Sequence, residues 1–539
     1  MNVQWKCWFC FILIAPFSLH AADGGTESAD AILKGFSIAP GLHVEVWAAG
    51  PQLANPVALC FDGKGRAFVA ESGRRRTSVP NIGTHPDWQD GSLALHSVED
   101  RARFMREIYP PGTGKMPPRD AADFNRDGVF DWHDLEVESE RVRLLEDTDG
   151  DGRADRSAVF AEGFNSLTTG VGAGILARGS EVWFTCIPHL WRLGPDNKRE
   201  ALLDGFGVHV VSSGHDMHGL RFGPDGRLYW TIGDCGAHVR TKEGAVIDVP
   251  ESGAVFRANP DGTEMELVHT RLRNPQHLAF NEVGDLFTGD NNGDAGDKAR
   301  WVHVVEGGDS GWRNGWEMRE VSPLEPRLGL WNEERLWDLD VGRTAPHLVP
   351  PLAHIGHGPA GICYYPGTGL PEPFHDCFFL SDFPGGVRYF RCKAKGASYE
   401  VEDAGPRLED NSPVELSGKL LWGLGPSDVQ FPPGGGVMVL DWATFAKTPL
   451  PLSNPERVVL IGPQEPQVLA EAWEAGIVSV VSQDDPIDTV LMAIMAAALR
   501  VDKSHSRPAA SEISPTSAHQ PAPIPPENRS FRSKRCKSQ

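Results

Sequence analysis

The cysteines of this chain are few and wrongly spaced for several kinds of chemistry. Nine are present, two of them (Cys7 and Cys10) inside the N-terminal apolar run, and the other seven form no C-x-x-C pair. That excludes a zinc ribbon, a dithiol redox centre and, for want of C-x-x-C-H, a covalently attached haem of the usual kind. Basic charge is also short. Lys and Arg number 51 against 73 Asp and Glu, a formal net charge of −22, so no basic stripe exists to neutralise phosphates and nucleic acid is excluded as a partner. The apolar run Cys7–Leu19, behind Lys6 and ahead of Ala21-Ala22, is too short for a comfortable membrane span. It reads as a secretory leader over residues 1–22. The protein is therefore expected to be secreted or periplasmic, touching a membrane only through a leader left uncleaved. Cys377 and Cys392 flank an expected hairpin and are the pair placed to bridge in an oxidising compartment.

Glycine and proline are plentiful, 59 and 43 residues, which suits a turn-rich all-β body. Six times an apolar strand leads through a Gly-containing turn into a second apolar strand that ends on an acidic or small residue. The first members begin at Asn55, Thr169, His218, Asn274, Gly358 and Pro426, and the second at Phe61, Ala177, Phe222, Phe280, His375 and Phe431. Each pair buries one face only if a neighbouring copy covers it, so the copies must stack. Radial stacking of such units predicts a six-bladed β-propeller over residues 31–463, with a central channel where loops converge. Insertions fall between the pairs, notably 73–140, where they are expected to shape or cover the channel mouth. Helical periodicity around one short strand follows in 464–500, and residues 501–539 form a Pro/Ser-rich tail that is expected to be disordered.

Two acidic loops carry the spacing of calcium ligands. In DFNRDGVFDWHD, Asp123, Asn125, Asp127, Asp131 and Asp134 stand at positions 1, 3, 5, 9 and 12 of an EF-hand-like loop, with Gly128 at 6. Asp in place of Glu at the last position weakens bidentate closure. Downstream, Asp147, Asp149, Asp151 and Asp155 repeat the offsets without the closing residue. The alternative is a pair of solvated Asx turns. If calcium binds, its expected role is to pin a long insertion.

The richest stretch is GHDMHGLRFGPDGRLYWTIGD, Gly214–Asp234, followed by RNPQHLAF from Arg273 and NNGDAGD from Asn291. These strings resemble the soluble quinoprotein glucose/sorbosone dehydrogenase family, six-bladed propellers that hold pyrroloquinoline quinone (PQQ) at the channel mouth. FSIAPGLHVEVWAAG from Phe36, the two acidic loops and SDFPGGVRYF from Ser381 resemble a narrower group. These are the "membrane-bound dehydrogenase" propellers of planctomycetes and verrucomicrobia, which often continue into a c-type cytochrome module; none follows here.

The resemblance implies a PQQ- and calcium-dependent sugar or polyol dehydrogenase that passes electrons to an external acceptor such as a cytochrome. It gives His215 the place of the catalytic base, with His218 beside it. Arg273 and Asn274 take the place of quinone contacts, and the carbonyls of Asn292 and Gly293 that of calcium ligands. Gly214 stands where an acidic residue usually orients the base; Asp216 is the nearest substitute, but in an extended segment its side chain alternates to the other direction. The same residues have plainer readings. His215 and His218 line a wet channel or bind a metal together, Arg273 bonds loop carbonyls, and Arg388 is either a cofactor contact or a strand-surface arginine. Two further function classes stay open, a carbohydrate- or protein-binding propeller without catalysis and a calcium-dependent lactonase.

Overall fold

Alternating apolar side chains give five of the six expected pairs their antiparallel form. Sheet 1 comprises β1 (Pro56–Phe61), β2 (Ala67–Glu71), β3 (Glu140–Glu146) and β4 (Arg156–Phe164). Sheet 2 comprises β5 (Gly174–Arg178), β6 (Glu181–Cys186), β7 (His189–Gly194) and β8 (Lys198–Asp204). Sheet 3 is built on β9 (Met217–Phe222), β10 (Leu228–Ile232), β11 (Gly253–Ala258) and β12 (Glu266–Leu272). Sheet 4 has β13 (Ala279–Phe280), β14 (Leu286–Asp290) and β15 (Arg300–Val304). Sheet 5 has β16 (Gly358–Tyr364), β17 (Phe378–Phe383), β18 (Gly386–Lys395) and β19 (Gly418–Trp422). Ser37–Ile38 adds to the edge of β19, so the start of the described chain joins the last of these sheets. This computed structural model describes residues between Leu33 and Ala493, apart from internal stretches of which the longest are 113–121, 320–326, 339–346, 403–417, 431–437, 442–457 and 483–492. The expected leader and tail lie outside the described residues, among which no helix is long and apolar enough to cross a membrane.

The apolar clusters are shared between consecutive sheets, as stacking of one-faced copies requires. Phe68 of sheet 1 packs with Phe184 of sheet 2, and Trp183 of sheet 2 with Trp230 of sheet 3. Tyr229 and Val255 of sheet 3 pack with Leu286 and Val302 of sheet 4, and Phe287 and Trp301 of sheet 4 with Phe378 and Phe390 of sheet 5. The innermost strands come close enough to need glycine. A Cβ on Gly219, at a bulge in β9 with φ of +44°, would lie 3.0 Å from the His277 Cα of the next sheet. The result is a propeller-like all-β fold.

The sixth pair departs from expectation. Residues 427–430 do occupy the gap between sheets 5 and 1. The Gly361 amide donates to the Ser427 carbonyl at 3.0 Å, and the Leu59 amide to Asp428 Oδ2 at 2.9 Å. The strand expected to pair with this segment, β20 (Met438–Asp441), instead pairs in parallel with β21 (Val458–Ile461). β21 in turn pairs in parallel with β22 (Ser479–Val481) across helix α2 (Pro466–Glu474). A parallel pair needs a crossover, and α2 supplies it. The α/β part therefore takes in residues from 438, earlier than the boundary expected at 464.

One buried acid repeats at the end of the second strand. In sheet 4, Asp290 Oδ1 accepts from the amides of Arg273 (2.9 Å) and Asn274 (2.8 Å), while Oδ2 pairs with Arg300 of β15. In sheet 5, Asp382 accepts from the amides of His357 (2.7 Å) and Gly358 (3.1 Å) and from Arg388 Nε of β18 (2.6 Å). In sheet 1, Glu71 accepts from the Ala54 amide and from Arg143 Nε of β3, both at 2.7 Å. Each acid thus ties the loop that enters the first strand to the third strand. In sheet 2 the station holds Cys186, whose Sγ lies 3.9 Å from the Gly170 carbonyl.

The insertion lies over sheets 2 and 3. Arg74, fully buried, donates to the carbonyls of Leu135 (2.7 Å), Glu138 (2.8 Å), Ser166 (3.2 Å) and Thr169 (3.0 Å), binding the insertion's two ends to the loop before β5. Beside it Glu140 accepts from Ser72 Oγ and from the amides of Arg74 and Gly172, yet burial pushes its carboxyl up to about 7.

Two outcomes test this framework. Asp290→Ala leaves two amides and a guanidinium without their acceptor and is expected to lower unfolding free energy by about 3 kcal/mol or more. Cys186→Ala at the equivalent station should cost only about 1 kcal/mol; equal losses in urea titrations would contradict the clamp. The second outcome concerns pH. Folded Glu140 holds its proton to about 7 against an ordinary value of 4.5, so the folded state binds more protons in that interval and stability falls as pH rises through it. His218 and His277, held neutral by burial, have the opposite sign and act below the ordinary histidine value. Because the buried histidines act alike in both proteins, the stability that the native protein holds over Glu140→Gln should shrink between urea titrations at pH 6 and pH 8.

Candidate functional site

Sheet 3 breaks the clamp pattern. Its β10 ends on Ile232 where the other second strands carry an acid or a thiol at or one residue before their end, and the acid comes two residues further on, at Asp234, past Gly233. Where sheets 1 and 5 place Arg143 and Arg388, the register of β10 against β11 puts Phe256. Asp234, left without an arginine of its own sheet, takes a histidine. His215 Nδ1 lies 2.7 Å from Asp234 Oδ1, and Trp312 Nε1 donates to Oδ2 at 3.1 Å. Burial pushes the Asp234 carboxyl up, but the charges of His215 and Arg273 and the bonds from His215 and Trp312 outweigh it and hold it below the usual range. An ionised partner fixes the proton on Nδ1, so the lone pair sits on Nε2. Nε2 makes no hydrogen bond among the described residues.

Arg273 and Asn274 enter from the loop before sheet 4, held there by the Asp290 clamp. The Arg273 guanidinium lies 5.5 Å from the Trp312 ring centroid and donates to the Asn292 carbonyl at 2.5 Å. Asn274 donates through Nδ2 to the Gly214 carbonyl (3.3 Å), and its Oδ1 lies 3.1 Å from His218 Nε2. His218 Nε2 also lies 3.0 Å from that carbonyl. Burial, then the neighbouring His215, push His218 down to about 4, so it is a neutral ring holding a loop. The histidine and arginine of adjoining sheets thus converge on one aspartate and one tryptophan.

Asp234 is the residue that sequence reasoning missed. Asp216 does not substitute for an acid at Gly214. Its side chain points away, towards Gly170 and Arg101, and burial pushes its carboxyl up. Three other expectations change. The Asn292 carbonyl is taken by Arg273, and the Gly293 amide donates to both carboxylate oxygens of Asp297 at 2.8 and 2.7 Å, so this loop presents Arg273, not a vacant set of carbonyls, to its surroundings. Arg388 is not a strand-surface residue. It is fully buried in the Asp382 clamp. Cys377 and Cys392 are free thiols, with Cys392 Sγ accepting from Trp301 Nε1 at 3.3 Å.

The acidic loops lie apart from this site. In the first, Asp123 accepts from the amides of Asp127 (3.1 Å) and Gly128 (2.9 Å), and Asp134 from those of Asn125 (3.1 Å) and Asp131 (2.9 Å). Asp131 caps a short 3-10 turn and bonds His133. In the second, at the β3–β4 turn, one carboxylate oxygen each of Asp147, Asp149 and Asp151 lie within 4.8 Å of one another. Asp155 is spent on Thr148 (3.1 and 2.6 Å).

Among solved structures the chain is similar to the PQQ-bound form of aldose sugar dehydrogenase from Streptomyces coelicolor, at 14% identity over 68% of this chain and 84% of that one, with a TM-score of 0.35. It is also similar to a putative oxidoreductase (glucose dehydrogenase) from Thermus thermophilus, at 19% identity over 55% and 83%, TM-score 0.35. A third is the holo form of the pyranose dehydrogenase PQQ domain from Coprinopsis cinerea, at 12% identity over 72% and 86%, TM-score 0.37. No curated protein matches. A family model matches residues 28–444, and the chain belongs to that family, described as a domain of unknown function (DUF7133).

Proposed function

We propose that the protein is a dehydrogenase of CH–OH groups in a sugar or polyol, using PQQ and passing electrons to an external acceptor such as a cytochrome. The observation that carries this reading is the His215–Asp234 contact of 2.7 Å with the Arg273 guanidinium beside it. The donor set suits an anionic planar quinone: a guanidinium that matches carboxylates, next to an imidazole whose Nε2 has no hydrogen-bond partner among the described residues. Arg273 and Asn274 would hold the cofactor. When bound, the quinone supplies the acceptor for the hydride that leaves the carbon. His215 Nε2 takes the proton of the substrate hydroxyl, and Asp234 stabilises the imidazolium that results. Trp312 holds Asp234 from its other oxygen. The Asn292 carbonyl expected to hold calcium accepts from Arg273, a cation that competes for the same oxygen. Calcium belongs instead at Asp147, Asp149 and Asp151, whose clustered oxygens suit a hard cation in a structural role.

One observation favours a second reading, a binding propeller without catalysis. His215, Arg273 and Asn274 are 6%, 3% and 1% exposed, and the Asn274 amide is already engaged. A lactonase calls for acidic ligands around a channel metal, whereas the clustered carboxylates among the described residues lie at an outer turn.

Two experiments decide. Protein loaded with PQQ and Ca²⁺ should oxidise aldoses with a dye acceptor, and His215→Ala should lower kcat by about 10²–10⁴-fold. Failure to bind the quinone at micromolar concentration leaves the binding reading standing. Separately, calcium titration should raise Tm in the native protein and not in Asp149→Ala; an equal rise in both would remove the Asp147–Asp151 site.

A further inference from the structure

A crevice lies between the insertion and the loop 209–216, on the far side of that loop from the His215–Asp234 pair. Its walls mix apolar side chains, among them Met105, Leu167 and Ile187, with Arg101, Asp216 and Ser213. It is narrow, with room for one or two water-sized groups, about what a hydroxymethyl end takes. Its polar lining is not satisfied by the protein. Arg101, on helix α1 (Val98–Ile108), is 7% exposed, and its guanidinium makes a single hydrogen bond, from Nη2 to the Thr168 carbonyl. Its Nε is buried without a partner, as are Ser213 Oγ and His209 Nε2. Asp216, 4% exposed, has no cation within 4.0 Å among the described residues and draws hydrogen bonds from the Val171 and Gly214 backbone. A buried donor or acceptor left unpaired costs about 1–3 kcal/mol, and several around one crevice call for an occupant.

We propose that this crevice is a binding pocket for the hydroxyl-bearing end of a neutral polyol or sugar, with Arg101 as donor and Asp216 as acceptor. Arg101 and Asp216 balance in charge, so an anion gains nothing there that a neutral diol lacks. Adjacent hydroxyls offer both a donor and an acceptor, which matches the pair. The apolar walls suit the C–H faces between hydroxyls. The pocket depends on the insertion, since Arg101 and Met105 both come from α1. The inference takes its ligand class from the proposed function, but its location stands on the crevice alone.

Titration of sorbitol and glucose into cofactor-free protein by calorimetry separates binding from turnover. Saturable binding is expected for the native protein and for His215→Ala. Arg101→Met and Asp216→Asn should each weaken it about tenfold or more. Ser213→Leu, which fills the crevice without touching either charged residue, should abolish it, and covers the case in which the charge variants fail to fold. Circular dichroism checks that each variant is folded. No saturable binding of either probe, or binding unaffected in folded Asp216→Asn and Ser213→Leu, would overturn the pocket and leave ordered water as its occupant. Binding without any dye-linked oxidation would retain the pocket and remove the quinone.

Discussion

A buried carboxylate at the end of the second strand is the constraint on which the rest of the molecule turns. In sheets 1, 4 and 5 it is met by backbone amides from the loop entering the first strand and by an arginine from the third. Such a group is costly to bury and is held by the amides and the guanidinium that meet it. It thus fixes where each inner loop starts, and those loops are the walls of the site. Asp290 in particular sets Arg273 and Asn274 in place through their own amides.

Function follows from the sheet that departs from this rule. Sheet 3 has no arginine to meet its acid, and Gly233 carries Asp234 past the strand end to where side chains of two loops arrive. The carboxylate that elsewhere is consumed in structure is here left to polarise an imidazole. A Cβ on Gly233 would lie 2.5 Å from the His215 carbonyl and 2.7 Å from Asn274 Oδ1, so the displacement demands glycine. The same electrostatic need, satisfied by structure in three sheets, becomes a basic nitrogen in the fourth.

Much of this is legible in the sequence, and the misses have physical causes. The apolar pairs and their acidic ends mark five sheets correctly, because burial of one face forces alternation. The run around Met438–Leu440 has the same alternation whether its partner is parallel or antiparallel, so the sixth pair is open to misreading. An acid to orient His215 is expected close to it along the chain, at Gly214 or Asp216. Yet the β9–β10 register pairs Met217 with Ile232, and two more residues of that hairpin set His215 opposite Asp234. Register, not adjacency, carries the signal. Arg388 is separated from Asp382 by six residues, and nothing in the local pattern tells a clamp arginine from a ligand.

The two ends of the ring are not alike, and the difference gives the site its direction. At the end away from His215, Arg221 of β9 reaches past sheet 4 to the Ile362 carbonyl and Gln430 Oε1, both at 2.9 Å. His277 Nε2 stands 4.0 Å from Asp428 Oδ1 beside it. Asp428 accepts from the Leu59 amide at 2.9 Å and from Gln430 Nε2 at 3.0 Å, so this plug is a hydrogen-bonded network. With that end filled, access to His215 and Arg273 is from the opposite face, where the insertion and the loop 209–211 meet through Ser92 and Val210. The insertion therefore stands over the face that bears the histidine, and Arg74 binds its two ends to the loop before β5.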